Sequence, residues 1–325
     1  MFEQNPYSKL ISNYIQQAEF PNEPRELYDP IRYILSLAGK RIRPMLVLMS
    51  ARLFGEQDMS KALPASAAIE YFHNFSLIHD DIMDNAPLRR GKDTVHEKWN
   101  NNVAILSGDG LLVKAYQELG KSPKEHIAEL LTVFNQVAIE VCEGQQLDMD
   151  FEKQLEVREE DYLRMIKLKT SVLLGGALQM GAILANATKE QQDLIYGFGV
   201  NLGIAFQLQD DFLDVYGDPS SFGKQVGGDI LANKKTILHI HTQHLAKDAD
   251  QEEFQLLIQD SNISNEDKVN RMKNLYAKLN VDQYAEGVKQ RYMHLAYEQL
   301  SQLNVDATRK EELFALADML MHRAK

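Results

Sequence analysis

Apolar residues recur at helical spacing along almost the whole chain, and no other pattern in it could organise a core. The runs begin near Tyr28 and resume at 43–54, 63–83, 102–119, 124–147, 159–186, 189–215 and 235–245. They continue, with fewer apolar residues, across 251–322. Turn chemistry interrupts them at Gly55, 85–87, 122–123, 217–219 and 223–228. Alternating β-branched stretches are scarce, and 18 glycines and 9 prolines are few for 325 residues, so long helices are expected rather than a sheet. A 44% hydrophobic content suffices for one large core or two modest ones. With no linker, low-complexity tract or fixed-period repeat, residues 1–325 read as one helical domain, the stretch after about 245 forming a peripheral helical layer. Ser122-Pro123-Lys124-Glu125 reads as a helix start with proline at the first helical position.

Several classes are excluded early. Residues 1–24 read as polar and lack the basic-then-apolar pattern of a signal peptide. The most apolar stretch, 171–187, is interrupted by Gln179 and several glycines, so it reads as a buried central helix and not a membrane span. The net charge of −12 argues against nucleic acid and against acidic membrane surfaces as partners. The single cysteine, Cys142, precludes an internal disulfide, suits a reducing, cytoplasmic compartment, and reads as a small buried apolar residue.

Two segments carry chemistry. Leu77-Ile78-His79-Asp80-Asp81-Ile82-Met83-Asp84 and Gln207-Leu208-Gln209-Asp210-Asp211-Phe212-Leu213-Asp214 each contain Asp-Asp-x-x-Asp with apolar residues between. On a helix, Asp80 and Asp84 project from one face, as do Asp210 and Asp214. At average Asp abundance one such pattern arises in about one chain in ten, and two inside apolar helical runs are far rarer. Both lie at the C-terminal ends of their helices, just before turns, where the helix dipole is negative and disfavours carboxylates. Breaking a local rule twice in the same way points to a missing cation. Ligands that are carboxylates only, without Cys or His, favour a hard ion such as Mg²⁺, which keeps coordination positions for phosphate oxygens.

Cationic residues sit at the neighbouring turns. Gly39-Lys40-Arg41-Ile42-Arg43-Pro44 opens a helix, Pro87-Leu88-Arg89-Arg90-Gly91 follows the first aspartate cluster, and Lys224, Lys234 and Lys235 follow the second. Arginine gives bidentate contacts to phosphate and lysine serves as a point charge. Gly223-Lys224-Gln225-Val226-Gly227-Gly228-Asp229 lacks the spacing and the Ser/Thr of a nucleotide P-loop, and no strand precedes it. Glu70-Tyr71-Phe72-His73 has the Glu-x-x-His form of a ferritin-like di-iron bundle, but that class needs two copies and the sequence holds one. His239, His241 and His244 do not share one helical face and read as solvated helix histidines.

In these motifs, their order and their spacing, the chain resembles the polyprenyl synthetase family, the trans-isoprenyl diphosphate synthases, over roughly 28–240. The resemblance implies an all-α, single-domain bundle of antiparallel helices around a deep central cavity, as a homodimer. It implies that Asp80, Asp84 and Asp210 bind about three Mg²⁺ on the allylic diphosphate, Asp81 and Asp214 acting indirectly or through water. Arg89, Lys169, Lys224 and Lys234 match residues that hold the allylic diphosphate; Lys40, Arg43, His73 and Arg90 match the isopentenyl diphosphate site. Thr170 and Gln207 lie where the family stabilises the developing cation. Ala38 and Asn233 stand where the family commonly has glycine, and Asp93 where it commonly has proline.

The implied reaction is head-to-tail condensation of isopentenyl diphosphate with dimethylallyl, geranyl or farnesyl diphosphate, releasing diphosphate. The growing tail is expected to run along the helix bearing Asp80 toward its N-terminus. Ser76 and Phe75 lie four and five residues back, about 6 and 7.5 Å below the metal site, and Phe72 shares Asp80's face. By family analogy an aromatic plug at Phe75 beside Ser76 implies C20 geranylgeranyl diphosphate, with C15 farnesyl diphosphate the alternative. A class I terpene cyclase would not need Lys40, Arg43 and His73 and normally carries a mixed second motif. A non-catalytic partner subunit typically loses one aspartate cluster, and both are kept here.

Overall fold

The helices form where apolar periodicity and turn residues predict them, in a computed structural model that describes residues 5–37, 39–217, 227–260 and 262–321. In order, the elements are α1 (Pro6–Gln16), α2 (Arg25–Ser36), α3 (Ile42–Leu53), α4 (Leu63–Met83), β1 (Leu88–Arg89), β2 (Lys92–Asp93), α5 (Val95–Lys98) and α6 (Asn101–Leu119). There follow α7 (Ile127–Glu152), α8 (Glu159–Ile166), a π-helical turn (Lys167–Ser171), α9 (Val172–Leu184) and α10 (Lys189–Tyr216). The remainder comprises α11 (Gly228–Leu231), α12 (Ile237–Leu245), α13 (Asp248–Gln259), α14 (Asn265–Lys278), α15 (Val281–Gln302) and α16 (Ala307–Met321). The fold is all-α; the two-residue strands β1 and β2 make one antiparallel hairpin. Among the described residues no helix is long and apolar enough to cross a membrane.

Packing divides the chain into two compact units. The first comprises Met1–Ala138, Leu173–Tyr196 and Asn304–Arg309. Here α4 lies along α6, whose buried face is built from Ala104, Ser107, Gly108, Leu111 and Ala115, spaced for one helical side. Gly108 is small for a reason: a Cβ there would lie 2.4 Å from the imidazole of His79 on α4. Gly181 of α9 similarly admits the backbone of α3, where its Cβ would meet the Val47 carbonyl at 2.2 Å. Ser50 of α3 secures that crossing by donating to the Leu178 carbonyl at 2.6 Å.

The second unit comprises Ile139–Val172, Gly197–Leu303 and Lys310–Lys325. Gly144 of α7 and Gly203 of α10 abut the π-helical turn, where Cβ atoms would stand 2.1 Å from the Lys169 amide nitrogen and 2.7 Å from the Ser171 Cα. Lys289 of α15 reaches the same α10, donating to Gln209 Oε1 at 2.6 Å while pairing with Glu286 at 2.5 Å.

Four expectations need correction. Residues 6–16 are not featureless polar chain: Asn5 caps a helix with Pro6 in its first turn, and Tyr7, Ile11 and Ile15 bury one face against α3 and α4. Pro123 does not open α7; it makes a single turn, closed by the His126 amide on its carbonyl, and the helix starts at Ile127. Cys142 is exposed, because α7 turns Val141 and Gly144 inward instead. His239 is buried edge-on to Phe254 at 5.1 Å, whereas His244 is exposed as expected.

Candidate active site

The acidic end of α4 is shaped by its termination. Asn85 takes a left-handed conformation, φ 48°, and the Ala86 amide returns to the Asp81 carbonyl at 2.9 Å while Asn85 returns to Ile82 at 3.3 Å. This double closure ends the helix and sends the chain back beside it. Arg90 and Gly91, both at positive φ, then form the two-residue hairpin turn joining β1 to β2. The hairpin carries Arg89 onto Asp81: Nε donates to the two carboxylate oxygens at 2.8 and 2.9 Å, and Nη2 approaches Oδ1 at 2.6 Å. Asp81 is 1% exposed. Burial pushes its carboxyl up, and the Arg89 hydrogen bonds and charge pull against that. Burial likewise works against the Arg89 charge, but the Asp81 hydrogen bond and the charges of Asp81, Asp80 and Asp84 outweigh it and raise its pKa. Asp80, 3.8 Å from Arg89, is partly buried, and Asp84 is exposed at the helix cap.

A cationic group occupies the same unit. Arg43 in the first turn of α3 donates to His73 Nε2 of α4 at 3.2 Å. Burial, followed by the charges of Arg43, Arg90 and Arg89, holds His73 well below its ordinary pKa, so it is neutral. With Nε2 accepting, the proton resides on Nδ1, leaving a donor there. Arg90 donates to the Leu37 carbonyl at 3.1 Å, and Gly39 makes room for it, since a Cβ would stand 2.7 Å from its guanidinium. Lys40 is exposed. Beneath the group lies Glu70, 4% exposed and hydrogen-bonded to Asn74 at 3.1 Å. Burial raises its pKa, opposed by Arg41, the Asn74 hydrogen bond, Arg90 and Arg43. Glu70 is thus no half of a di-iron site but a counter-charge under arginines.

The second motif is arranged around α10 in the other unit. Asp211 is buried; it accepts from Tyr162 of α8 at 2.5 Å and from Gln207 Nε2 at 2.9 Å. Burial and the Asp229 charge push its carboxyl up, against Lys234, Tyr162 and Gln207. Asp214, also buried, accepts from the Asp229 amide at 2.9 Å and so holds the start of α11. Asp210 is only partly buried. Lys169 and Thr170 project from the π-helical turn, a widening of the helix that often marks functional positions. Lys169 pairs with Asp148 of α7 at 2.5 Å, and the Thr170 hydroxyl stands 3.4 Å from Gln207 Oε1. These four predicted residues — Lys169, Thr170, Gln207 and Lys234 — line one cavity of about 70 Å³ together with Asp148, Tyr162 and Asp211. Asn233, standing for the expected glycine, has φ 51°, a conformation asparagine tolerates. Lys224 and Ala38 lie outside the described residues.

The six motif carboxylates therefore divide. Asp81, Asp211 and Asp214 are buried, whereas Asp80 and Asp210 are partly exposed and Asp84 is exposed. An oxygen-only donor set at negative helix ends fits a hard cation. Among the described residues no three His, Cys, Asp or Glu side chains are grouped to hold a metal ion by themselves.

Below Asp80, aromatic rings form a column. His79 meets Phe75 edge-on at 4.7 Å, Phe75 meets Phe72 at 5.6 Å, and Phe72 meets Phe134 of α7 at 5.5 Å. Phe72 and Phe134 are each 1% exposed, Phe75 is partly exposed, and Ser76 folds its hydroxyl onto the His73 carbonyl at 2.8 Å.

Sequence reasoning missed Tyr162 and Asp148, gave Asp211 no role within its motif, and weighed Glu70 only as half of a di-iron pattern. The partners of Asp211 and Lys169 lie 49 and 21 residues away, so no local pattern announces them.

A family model described as polyprenyl synthetase matches residues 24–278. A solved geranylgeranyl pyrophosphate synthase superposes with TM-score 0.93 and 41% identity, covering 100% of this chain and 99% of that one. Geranylgeranyl pyrophosphate synthase of Geoglobus acetivorans is 37% identical over 97% of each chain. Geranylfarnesyl diphosphate synthase of Aeropyrum pernix is 36% identical over 97% of this chain and all of its own. The all-helical fold, the two aspartate motifs and a match across most of the sequence agree: the chain belongs to the polyprenyl synthetase family of prenyltransferases.

Proposed function

We propose that this prenyltransferase condenses isopentenyl diphosphate with allylic diphosphates, releasing diphosphate and giving all-trans C20 geranylgeranyl diphosphate. The observation that carries the reading is that each motif sets carboxylates open to solvent, Asp80 and Asp84 in one and Asp210 in the other, beside buried ones, so that cations can reach both motifs. Magnesium held by these residues supplies charge neutralisation to the leaving diphosphate. Arg89, braced by Asp81, and Lys169, Lys224 and Lys234 bind the allylic diphosphate. Lys40, Arg43, Arg90 and the His73 Nδ1–H bind isopentenyl diphosphate. The allylic C–O bond breaks with its electron pair on the diphosphate, and Thr170 and Gln207 face the resulting cation. The isopentenyl double bond attacks to form the new C–C bond, and the departing diphosphate takes the proton lost from the product.

Product length rests on the Phe75–Phe72 column, whose partly exposed upper ring closes the path beneath Asp80. The two units form one catalytic domain in this reading, supported by the family match running through both. A homodimer is supported by an apolar stripe on α6: Ile105, Leu106, Val113 and Tyr116 are all at least 40% exposed and share one side of the helix. Water-borne diphosphate substrates and a free exposed thiol suit the cytoplasm.

Incubation with Mg²⁺, isopentenyl diphosphate and each of dimethylallyl, geranyl and farnesyl diphosphate, followed by sizing of the products, tests the reading. Elongation ending at C20 is expected, and chelation of the metal abolishes it. No chain growth, or a cyclic hydrocarbon from the primer alone, would overturn the reading; a C15 or C25 end-product would overturn only the length.

A further inference from the structure

We propose that Tyr162 and Asp211 are positioning residues that fix which end of the Gln207 carboxamide faces the reaction, turning its oxygen and not its NH₂ toward the allylic cation. The inference rests on the reaction proposed above and concerns two residues to which that reading gives no part.

The hydrogen bonds carry the argument. Gln207 and Asp211 are one turn apart on α10, and Gln207 Nε2 donates to Asp211 Oδ1 at 2.9 Å. The other carboxylate oxygen, Oδ2, accepts from the Tyr162 hydroxyl at 2.5 Å. Both carboxylate oxygens thus accept, one from the amide and one from the tyrosine, and it is the NH₂ end of the amide that faces Asp211. The amide oxygen is then turned away, toward the Thr170 hydroxyl at 3.4 Å and the cavity that Lys169 and Lys234 also line. That oxygen is the end with negative partial charge, the polarity that stabilises an allylic cation. Reversed, the carboxamide would present a positive NH₂ to the cation and leave two acceptors, Gln207 Oε1 and Asp211 Oδ1, opposed. Tyr162 is 1% exposed and Asp211 4%, so water does not substitute for either partner. The buried tyrosine anchors the carboxylate from α8, and the carboxylate orients the amide on α10.

The test uses Tyr162→Phe, Asp211→Asn, and Asp211→Asn combined with Gln207→Glu, with kcat, both KM values and the magnesium dependence measured for each. The carboxamide installed by Asp211→Asn can pair with Gln207 either way round. That variant should therefore lower kcat about 30-fold while both KM values and the magnesium requirement stay within about 3-fold. Tyr162→Phe removes one hydroxyl and should lower kcat about 5-fold in the same pattern. In the double variant a carboxylate replaces the amide at position 207, is the same both ways round, and accepts from the NH₂ of the new carboxamide at position 211. There kcat should recover to within about 5-fold of the unaltered enzyme. Unchanged kcat in Tyr162→Phe overturns the proposal and decides alone should Asp211→Asn not fold. A magnesium requirement or KM that rises in step with lost turnover makes Asp211 a metal or substrate group instead and overturns it. A double variant no faster than Asp211→Asn shows that orientation is not what Asp211 supplies. An unaltered chain that elongates no substrate refutes the function itself, whereas an active chain with fully active variants refutes only this inference.

Discussion

Gly144 of α7 lies so close to Lys169 that a Cβ would stand 2.1 Å from the Lys169 amide nitrogen. Both contacting groups are backbone, so neither can swing aside. The π-helical turn that displays Lys169 and Thr170 exists in this position because α7 offers it no side chain there. Gly144→Ala should therefore cost about 3 kcal/mol of stability and displace Lys169 from Asp148. Thermal melting should fall, and turnover measured well below the melting temperature should fall with it. A variant with lowered melting and full turnover would show that the turn tolerates displacement.

Asp81 and Asp80 both face Arg89, Asp81 through direct hydrogen bonds and Asp80 from 3.8 Å, and substitution should separate their roles. Asp81→Asn removes the charge that holds Arg89 by both oxygens. Breaking a buried pair costs about 3–5 kcal/mol; with Arg89 a quarter exposed, about 2 kcal/mol is the better figure. The allylic KM should rise and kcat fall, with the magnesium concentration for half-maximal rate unchanged. Asp80→Asn should raise that magnesium concentration. Equal magnesium shifts in the two variants would place Asp81 among the metal ligands.

The long helices were legible because their apolar residues repeat over several turns; α4 begins and ends where its pattern does, at Leu63 and Met83. The aspartates and arginines were legible because each breaks a local expectation: acids at a negative helix end, cations clustered at turns. The π-helical turn was not, since one extra residue in a continuous helix leaves the apolar periodicity nearly intact. Nor was α1, in which Tyr7, Ile11 and Ile15 are too few to stand out from their polar neighbours. Asp211 and Asp210 are indistinguishable by motif; only the approach of Tyr162 from 49 residues away assigns one to the interior. Cys142 and His239 exchanged their expected environments because average burial by residue type says nothing of which helical face a position occupies.

The aromatic column predicts an order of effects on product length. Phe75→Ala removes the partly exposed upper ring and should lengthen the product by at least one isoprene unit at modest cost in stability. Phe72→Ala removes a ring packed on both Phe75 and Phe134, so it should cost about 3–5 kcal/mol and lengthen the product further only when Phe75 is also cut back. Chromatographic sizing of products from the single and double variants checks the order. A product unchanged by Phe75→Ala would rule that ring out as the floor.

His239 gives the second unit a dependence of stability on pH. Burial first, and then the charges of Lys235 and Lys268, depress its pKa from 6.5 to about 3. The unfolded chain takes up a proton near 6.5, whereas the folded chain refuses it until about 3, so between those values the unfolded state binds more protons. Stability is therefore complete above the unfolded value and declines as the pH falls through this window. Near pH 5.5 the imidazole's share of the loss, relative to about pH 8, is about 1.4 kcal/mol. His239→Leu keeps an apolar contact with Phe254 and abolishes the titration. Denaturant unfolding of both proteins at the two pH values should show the variant gaining about 1.4 kcal/mol on the parent on acidification. A difference between the two proteins that does not move with pH would mean that the His239 imidazole is protonated as readily in the folded chain as in the unfolded one.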